Sequence, residues 1–419
     1  MDDYDVVVIG ASIAGASTAT LLARRGARVA LVEKRPDVNA FKRICSHYIQ
    51  PSAVPMLERA GFLGPITRAG GVRGHARLWT KWGWLFTPHE ASRVRAGVNL
   101  RRERLDPLLR QIAADTPGVD LLLGESVEGV SADDRGTVTG AEVRNSSGRT
   151  RQLTAKLTVG ADGRDSRVAE LADLRPRIKP HRRFAYGAYF EGPPPTSAPD
   201  VSLWFLDPHV ALAFPTDSGL TLYGCMPTQD RLPEFKADPG RALQRFVADI
   251  PDAPPIRESR MLGPVFGKLK LPNVRRGPTR PGLALVGDAA VAADPLFGVG
   301  CGWAFQESEW LADSTAAALN GEQPLQQGLD GYRDQIKRNI YPHDWLISDY
   351  ATGRRMDPAE KLMFSAGAYE PGLLPALEEF ATRSIDPARF LPRMLPRAMA
   401  VHARRGLTRA RRPAEAVAA

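Results

Sequence analysis

The stretch Asp5–Ser17, DVVVIGASIAGAS, decides how the rest of the chain is read. Val6 to Ile9 is a short, unbroken apolar run, the pattern of a parallel strand buried on both faces. A glycine-bounded turn follows. Then comes alanine- and leucine-rich chain to Arg25, with Gly26 in the place of a helix C-cap. The next segment, ARVALVEK, is a second strand. Strand, helix and strand within about 30 residues form the unit that joins two parallel strands by a crossover. The turn itself, Gly10-Ala11-Ser12-Ile13-Ala14-Gly15, matches G-x-G-x-x-G except at its centre. The first glycine permits a tight turn, and the third lets helix and strand pack closely. The middle position lets backbone approach a pyrophosphate seated on the helix N-terminal N–H groups. Ser12 is small enough to preserve that approach. Glu33 ends the second strand, where an acidic residue hydrogen-bonds ribose hydroxyls. Its charge argues against a 2′-phosphate, so the loop suits FAD or NAD rather than NADP.

A second such loop lies far downstream, in ALVGDAAVAADPLFGVGCGWAF, Ala284–Phe305. A short strand leads to Gly287-Asp288, then to Pro295, then to glycines that open a helix running from about Gly300 to Leu319. A glycine-rich helix start offers free N–H groups and roughly half a positive charge to an anion. A third glycine-rich corner is VGADGRDSRVAELA, Val159–Ala172. Between the second and third corners the pattern changes. RRFAYGAYFEG and VSLWFLDPHVALAFPTDSGLTLYGCMP alternate apolar and polar residues between Pro and Asp-Ser-Gly turns, which is antiparallel sheet. The fold class is therefore α/β: a Rossmann-like dinucleotide-binding domain interrupted by an antiparallel β-sheet domain, with a C-terminal helical region. The expected boundaries are 1–175 and 279–322 for the two parts of the dinucleotide-binding domain, which the resemblance given below makes an FAD-binding domain. The antiparallel domain, the substrate domain on that resemblance, takes 176–278, and the helical region with its basic tail takes 323–419.

Composition narrows the function classes. The chain has 419 residues, 43% hydrophobic and 25% charged, enough apolar mass for a large composite core. The net charge of +9 owes much to arginines in HARRGLTRARRPAEAVAA. No aromatic-interleaved basic module accompanies them, so nucleic acid is not an expected partner. No apolar run approaches the ~18 residues of a membrane span, and Met1-Asp2-Asp3 leads into a strand with no secretory signal. Cys45, Cys225 and Cys301 make neither a disulfide framework nor a zinc pattern, so a reduced cytoplasmic compartment is expected and no metal.

On the three glycine-rich corners and on RRERLD, Arg101–Asp106, the chain resembles a large flavoprotein superfamily. It contains para-hydroxybenzoate-hydroxylase-like monooxygenases, geranylgeranyl reductases and flavin-dependent halogenases. The resemblance covers roughly Asp5 to Leu319. It implies one FAD stretched across the domain, touching both distant loops. Gly10, Ser12 and Gly15 would hold the pyrophosphate, Glu33 the AMP ribose, and Asp288 the ribityl chain. Residues after Pro295, with Gly300 and Cys301, would reach the isoalloxazine. Asp162 is implied as a flavin or pocket-wall contact, Arg102 as the R-x-x-L-D arginine near the cofactor, and Arg43 as a pyrophosphate or ribityl contact.

The resemblance also ranks the chemistries. The first is monooxygenation of a small aromatic or polyketide-like substrate through a flavin C4a-hydroperoxide in a dry pocket. The antiparallel domain would roof that pocket with Tyr186, Tyr189, Trp204, Phe214 and Tyr223. His47 and Pro295 are the candidate catalytic residues. With one dinucleotide fingerprint, NAD(P)H would bind transiently, or a separate flavin reductase would supply electrons. Val291 and Gly302 stand where such hydroxylases carry His and Asn. The alternative is a carbon–carbon double-bond reductase. RICSH (Arg43–His47) is similar to the reductases' K-x-C-G-G, and VALAFP (Val210–Pro215) to their substrate wall. KWGWLFTP (Lys81–Pro88) imitates the halogenase W-x-W-x-I-P with the wrong spacing. A non-enzymatic escort role on the same fold completes the set.

Overall fold

The computed structural model describes residues 2–410. The run Val6–Ile9 lies in strand β1 (Asp2–Ile9), and these four residues are buried. Helix α1 (Ile13–Ala23) crosses over to strand β2 (Val29–Glu33), which pairs with β1 in parallel, Val6 opposite Val29. On the other flank of β1 lies the long strand Thr150–Gly160, also parallel, with Val6 opposite Leu157. The parallel set is completed by Leu283–Leu285 beyond that strand and by Val119–Leu123 beyond β2. A chain segment from position 283 thus pairs within the sheet that the N-terminus begins. Both faces of the sheet are covered at its centre, where Val6–Ile9, Val29–Val32 and Leu283–Leu285 are apolar and buried.

The long helix Val299–Leu319 packs on α1, and Thr18 Oγ1 donates to Ser308 Oγ at 3.0 Å within that contact. The N-terminal unit and the segment from 283 to 319 are therefore one packed body. Gly10 adopts φ +101°, a left-handed conformation suited to glycine. A Cβ on Gly15 would lie 1.6 Å from the Gly10 carbonyl oxygen. The helix rests directly on the turn, as the third glycine of the fingerprint requires.

The second sheet has seven strands. Their order is Arg260–Lys268, Ala185–Glu191, Thr221–Met226, Val210–Pro215, Val201–Phe205, Ala76–Thr80 and Gly83–Leu85. Neighbours are antiparallel except Val201–Phe205 with Ala76–Thr80, which run parallel. That strand arrives from the FAD-binding domain and not through a hairpin, which frees it from antiparallel pairing. One face of this sheet packs on helix Pro239–Ala248. Tyr186, Ala188, Phe190, Trp204, Ala211, Ala213, Tyr223 and Cys225 belong to that core. The other face turns toward the FAD-binding domain.

After Leu319 the chain is helical: Leu325–Asn339, Tyr341–Tyr350, Pro358–Tyr369, Leu374–Ala381 and Pro387–Ala410. The last three share a small core around Met363, Leu377 and Phe390. Of the basic tail read from His402 onward, residues 411–419 lie outside the described residues. No described helix is long and apolar enough to cross a membrane.

Gly15→Ala is expected to cost at least the ~3 kcal/mol at the upper end of overpacking, because the obstructing atom is backbone. Gly277→Ala, where nothing lies within 4 Å of the added carbon, is the control. It is expected to stay within ~0.5 kcal/mol. Denaturation midpoints at constant slope read both.

Candidate functional site

The first loop is held by charge. Glu33, buried at the end of β2, accepts the Ala11 N–H at 3.0 Å and the Arg35 N–H at 3.1 Å. Arg110, 1% exposed, donates Nε to the Ala11 carbonyl at 2.8 Å and its two Nη groups to Val38 and Ala40 carbonyls. Ser12 is the N-cap residue of α1, yet its hydroxyl makes no cap hydrogen bond. It accepts from Arg102 Nη2 at 2.6 Å, leaving the helix N-terminal N–H groups uncapped by a side chain.

Arg102 sits in the first turn of helix Arg102–Ala114 and is 3% exposed. Its Nε and Nη2 each lie 2.8 Å from Asp106 Oδ1, one helical turn on. Its Nη1 lies 3.6 Å from Cys45 Sγ, and its backbone N–H donates to His47 Nδ1 at 3.2 Å. Burial disfavours the Arg102 charge, but the Asp106 carboxylate and the Cys45 and Cys301 sulfurs together outweigh it and hold the guanidinium protonated well above its usual range. Asp106 Oδ2 in turn accepts the Lys42 N–H at 2.9 Å, and Lys42 Nζ donates to Asp288 Oδ2 at 2.9 Å. A continuous line of contacts thus runs from Ser12 through Arg102, Asp106 and Lys42 to Asp288, from the first loop to the second.

Asp288 lies in the short turn Gly287–Ala289, between strand and helix. Burial pushes its carboxyl up, and Lys42, Arg164 and Arg102 together overcome that and hold it below its ordinary range. The turn is fixed from behind by Glu307, fully buried, whose Oε2 accepts the Gly287 N–H at 2.6 Å. Burial raises the Glu307 carboxyl well above its usual range. The following loop is fixed by Asp294. Its Oδ1 accepts the Leu296 N–H at 2.8 Å, and its Oδ2 meets His181 Nε2 at 3.0 Å and Arg183 Nη1 at 3.7 Å, all buried. Pro295 opens the single turn Pro295–Phe297. Gly298, at φ +62°, then turns the chain into the long helix without any side-chain cap. Gly300 is exposed at that helix start, and Cys301 is buried beside it.

His47 is 1% exposed and has φ +66°. Its Nδ1 accepts from Arg102 N–H, so the hydrogen-bond pattern assigns the proton to Nε2, which meets Tyr189 Oη. Tyr189 comes from the second sheet, and burial raises its hydroxyl above the ordinary tyrosine range. Alternation divides the five expected roof aromatics. Tyr189 and Phe214 lie on the face shared with Tyr48, Leu212 and Phe266. Tyr186, Trp204 and Tyr223 point to the opposite core, under helix Pro239–Ala248. Leu296 and Phe297 of the second loop pack on the first of these faces with Phe205, Val210 and Tyr350. The side of the sheet that meets the second loop is therefore the Tyr189–Phe214 face.

Gly10, Ser12, Gly15, Glu33, Arg102, Asp288, Gly300, Cys301, His47 and Pro295 fall on the two loops or on the contacts that join them. Arg43 is exposed and makes none of these contacts. Asp162 uses both oxygens at its own corner, accepting Ser166 Oγ at 2.5 Å and Val168 N–H at 3.0 Å. Lys81–Pro88 forms an edge hairpin in which Trp84 packs against Trp204, on the face away from the loops. Lys42, Asp106, Asp294 and Glu307 were not singled out by sequence. Only Asp106 carried a signal, four residues after Arg102 on one helix face.

The donor set fits a long dinucleotide cofactor. There are two uncapped helix N-termini, a turn at Gly10 where a Cβ would strike the Ala161 oxygen at 2.6 Å, and carboxylates at each end. Arg102→Ala is expected to cost ~3–5 kcal/mol, because Asp106 is left buried and unpaired. Adding Asp106→Asn is expected to recover part of it, with a coupling of ~0.5–3 kcal/mol in a double-mutant cycle. Glu307 yields a pH prediction. Its folded-state pKa exceeds the unfolded one, so its stabilisation is complete below the ordinary glutamate range and declines as pH rises through the folded value. Glu307→Gln removes that decline. Between about pH 5 and about pH 8, denaturation should show the wild type losing stability relative to the variant.

Known proteins share this fold. The family model described as FAD binding domain matches residues 3–249, more than half of the chain. A digeranylgeranylglycerophospholipid reductase of Thermoplasma acidophilum is 24% identical over 373 residues, covering 87% of this chain and 91% of that protein. A kynurenine 3-monooxygenase of Salinispora tropica is 26% identical over 397 residues, covering 89% and 84%. Among solved structures, a probable FAD-dependent monooxygenase from Pseudomonas aeruginosa superposes with TM-score 0.69 at 23% identity, covering 91% of this chain and 100% of that one. A flavin-dependent brominase superposes with TM-score 0.77 at 19% identity, covering 96% and 100%. With the fold, the two loops and these likenesses in hand, the chain belongs to the FAD-binding-domain family, as an FAD-dependent oxidoreductase.

Proposed function

We propose that the protein is an FAD-dependent monooxygenase that acts on a small aromatic or polyketide-like substrate, with NAD(P)H as the source of electrons. The observation that carries this reading is the face holding Tyr48, Tyr189, Leu212, Phe214 and Phe266. It is apolar and shared with the Pro295–Phe297 loop. Gly10 and the α1 N-terminus would hold the pyrophosphate, Glu33 the AMP ribose, and Asp288 the ribityl chain. The N–H groups at Gly300 and Cys301 would face the negative edge of the reduced ring. When bound, FAD supplies the two-electron and oxygen chemistry. The chain's own part is to bind, orient and exclude water. The apolar face excludes water. His47 holds Tyr189 through Nε2–H, which leaves the Tyr189 hydroxyl hydrogen free to orient a polar group of the substrate.

Cys45 favours a second reading, reduction of a carbon–carbon double bond. Its sulfur lies next to Cys301 at the second loop, and the relative from Thermoplasma acidophilum is a reductase by name.

Purified protein is expected to carry or take up FAD and show a flavin spectrum. Asp288→Asn should weaken FAD binding on the order of tenfold, the worth of one charge-assisted hydrogen bond, ~1.4 kcal/mol. Candidate aromatics should raise oxygen uptake in step with product. A substrate converted with no oxygen consumed would select the reductase reading, and a chain that never binds flavin would defeat both.

A further inference from the structure

Cys45 and Cys301 are 256 residues apart in the chain, and their sulfurs are 3.5 Å apart. Both are free thiols, Cys45 half-buried and Cys301 buried. Cys45 Sγ also receives the His47 N–H at 3.2 Å and Arg102 Nη1 at 3.6 Å. Cys301 stands in the first turn of the long helix, beside the uncapped N–H groups. One sulfur is thus surrounded by donors, and the other touches it as a thiol. That is the polarity of a dithiol in which one member is thiolate and its neighbour carries the proton. The contact with Cys301, the His47 N–H and the Arg102 charge hold the Cys45 thiol well below its ordinary range against burial. The same contact and burial push Cys301 up. A disulfide requires the sulfurs to approach by ~1.5 Å more. Cys225 is buried in the sheet's far core, where burial raises its thiol, and it serves as an internal control.

We propose that Cys45 and Cys301 form a reversible dithiol–disulfide couple that exchanges two electrons with the FAD of this site; the proposal rests on the FAD placement above. In the oxidising direction the Cys45 thiolate and the Cys301 thiol join in one S–S bond. Two electrons and the Cys301 proton leave. FAD takes both electrons, that proton and one more from solvent, and becomes FADH2. An external dithiol, small or carried on a protein, restores the pair by exchange. Its thiolate attacks one sulfur and the other leaves as thiolate. The second thiol of the reductant then closes its own disulfide, and the bond to the protein breaks. Electrons would then have a second entry, through sulfur beside NAD(P)H, in a chain that carries a single dinucleotide fingerprint.

The test uses the holoprotein. After diamide treatment and removal of the reagent, non-reducing peptide mapping is expected to find Cys45 linked to Cys301, lighter by two hydrogens, with Cys225 still alkylatable. Anaerobic dithionite titration of that oxidised protein is expected to consume four electrons per bound FAD, against two in Cys45→Ser and in Cys301→Ser. Excess dithiothreitol without oxygen should bleach the wild-type flavin and leave the variants yellow. Two electrons per bound FAD in the wild type, or three alkylatable cysteines after diamide, would overturn the proposal. A protein that binds no FAD would instead sink the preceding reading. Mapping on that flavin-free chain would still decide whether the two sulfurs join.

Discussion

A guanidinium taken out of water has to be answered at each of its N–H groups, and the partners it collects become fixed relative to one another. Arg102 does this for three segments. It bonds Ser12 in the first loop, Asp106 on its own helix and Cys45 in the connection after β2, and its backbone holds His47. Asp106 passes the constraint to Lys42, and Lys42 to Asp288. The charge is the reason the line is rigid. Arg102 and Asp106 cannot turn apart without leaving a buried ion unpaired, and Lys42 reaches in from the surface to Asp288.

The second sheet is attached to this line at two places. Tyr189 meets His47, and Leu296 and Phe297 pack on the same sheet face. The loop carrying those two residues is itself pinned by Asp294, His181 and Arg183. Roof and floor of the site therefore share residues, and neither is a freely hinged lid. The same anchoring explains why the glycines cluster where they do. Gly15 is needed for the contact between helix and turn, and Gly298 for the left-handed step into the long helix.

Much of the fold was legible because its signals are local. An apolar run, a glycine turn and an alanine-rich helix specify strand, crossover and strand whatever surrounds them. The expected helix from Gly300 to Leu319 differs from the observed Val299–Leu319 by one residue. The candidate site was legible in its loops and not in its ties. Lys42 and Glu307 carry no motif, and their partners, Asp288 and Gly287, lie 246 and 20 residues away. Asp162, implied by the resemblance as a flavin or pocket-wall contact, accepts from Ser166 and Val168 at its own corner, the local turn bonding that an aspartate in such a setting favours. The roof aromatics illustrate the limit most clearly. Alternation says that neighbours oppose one another, but it does not say which set faces the cofactor domain.

What the amino-acid sequence determined by itself is the set of elements and the chemistry of the two loops. Backbone conformation and helix-end charge follow from residues close together in the chain. What only the tertiary structure decided is which distant groups meet: Arg102 with Cys45, Cys45 with Cys301, Tyr189 with His47. Those meetings depend on how two sheets and a long helix pack, and packing is set by the sum of many small contacts that no single stretch contains.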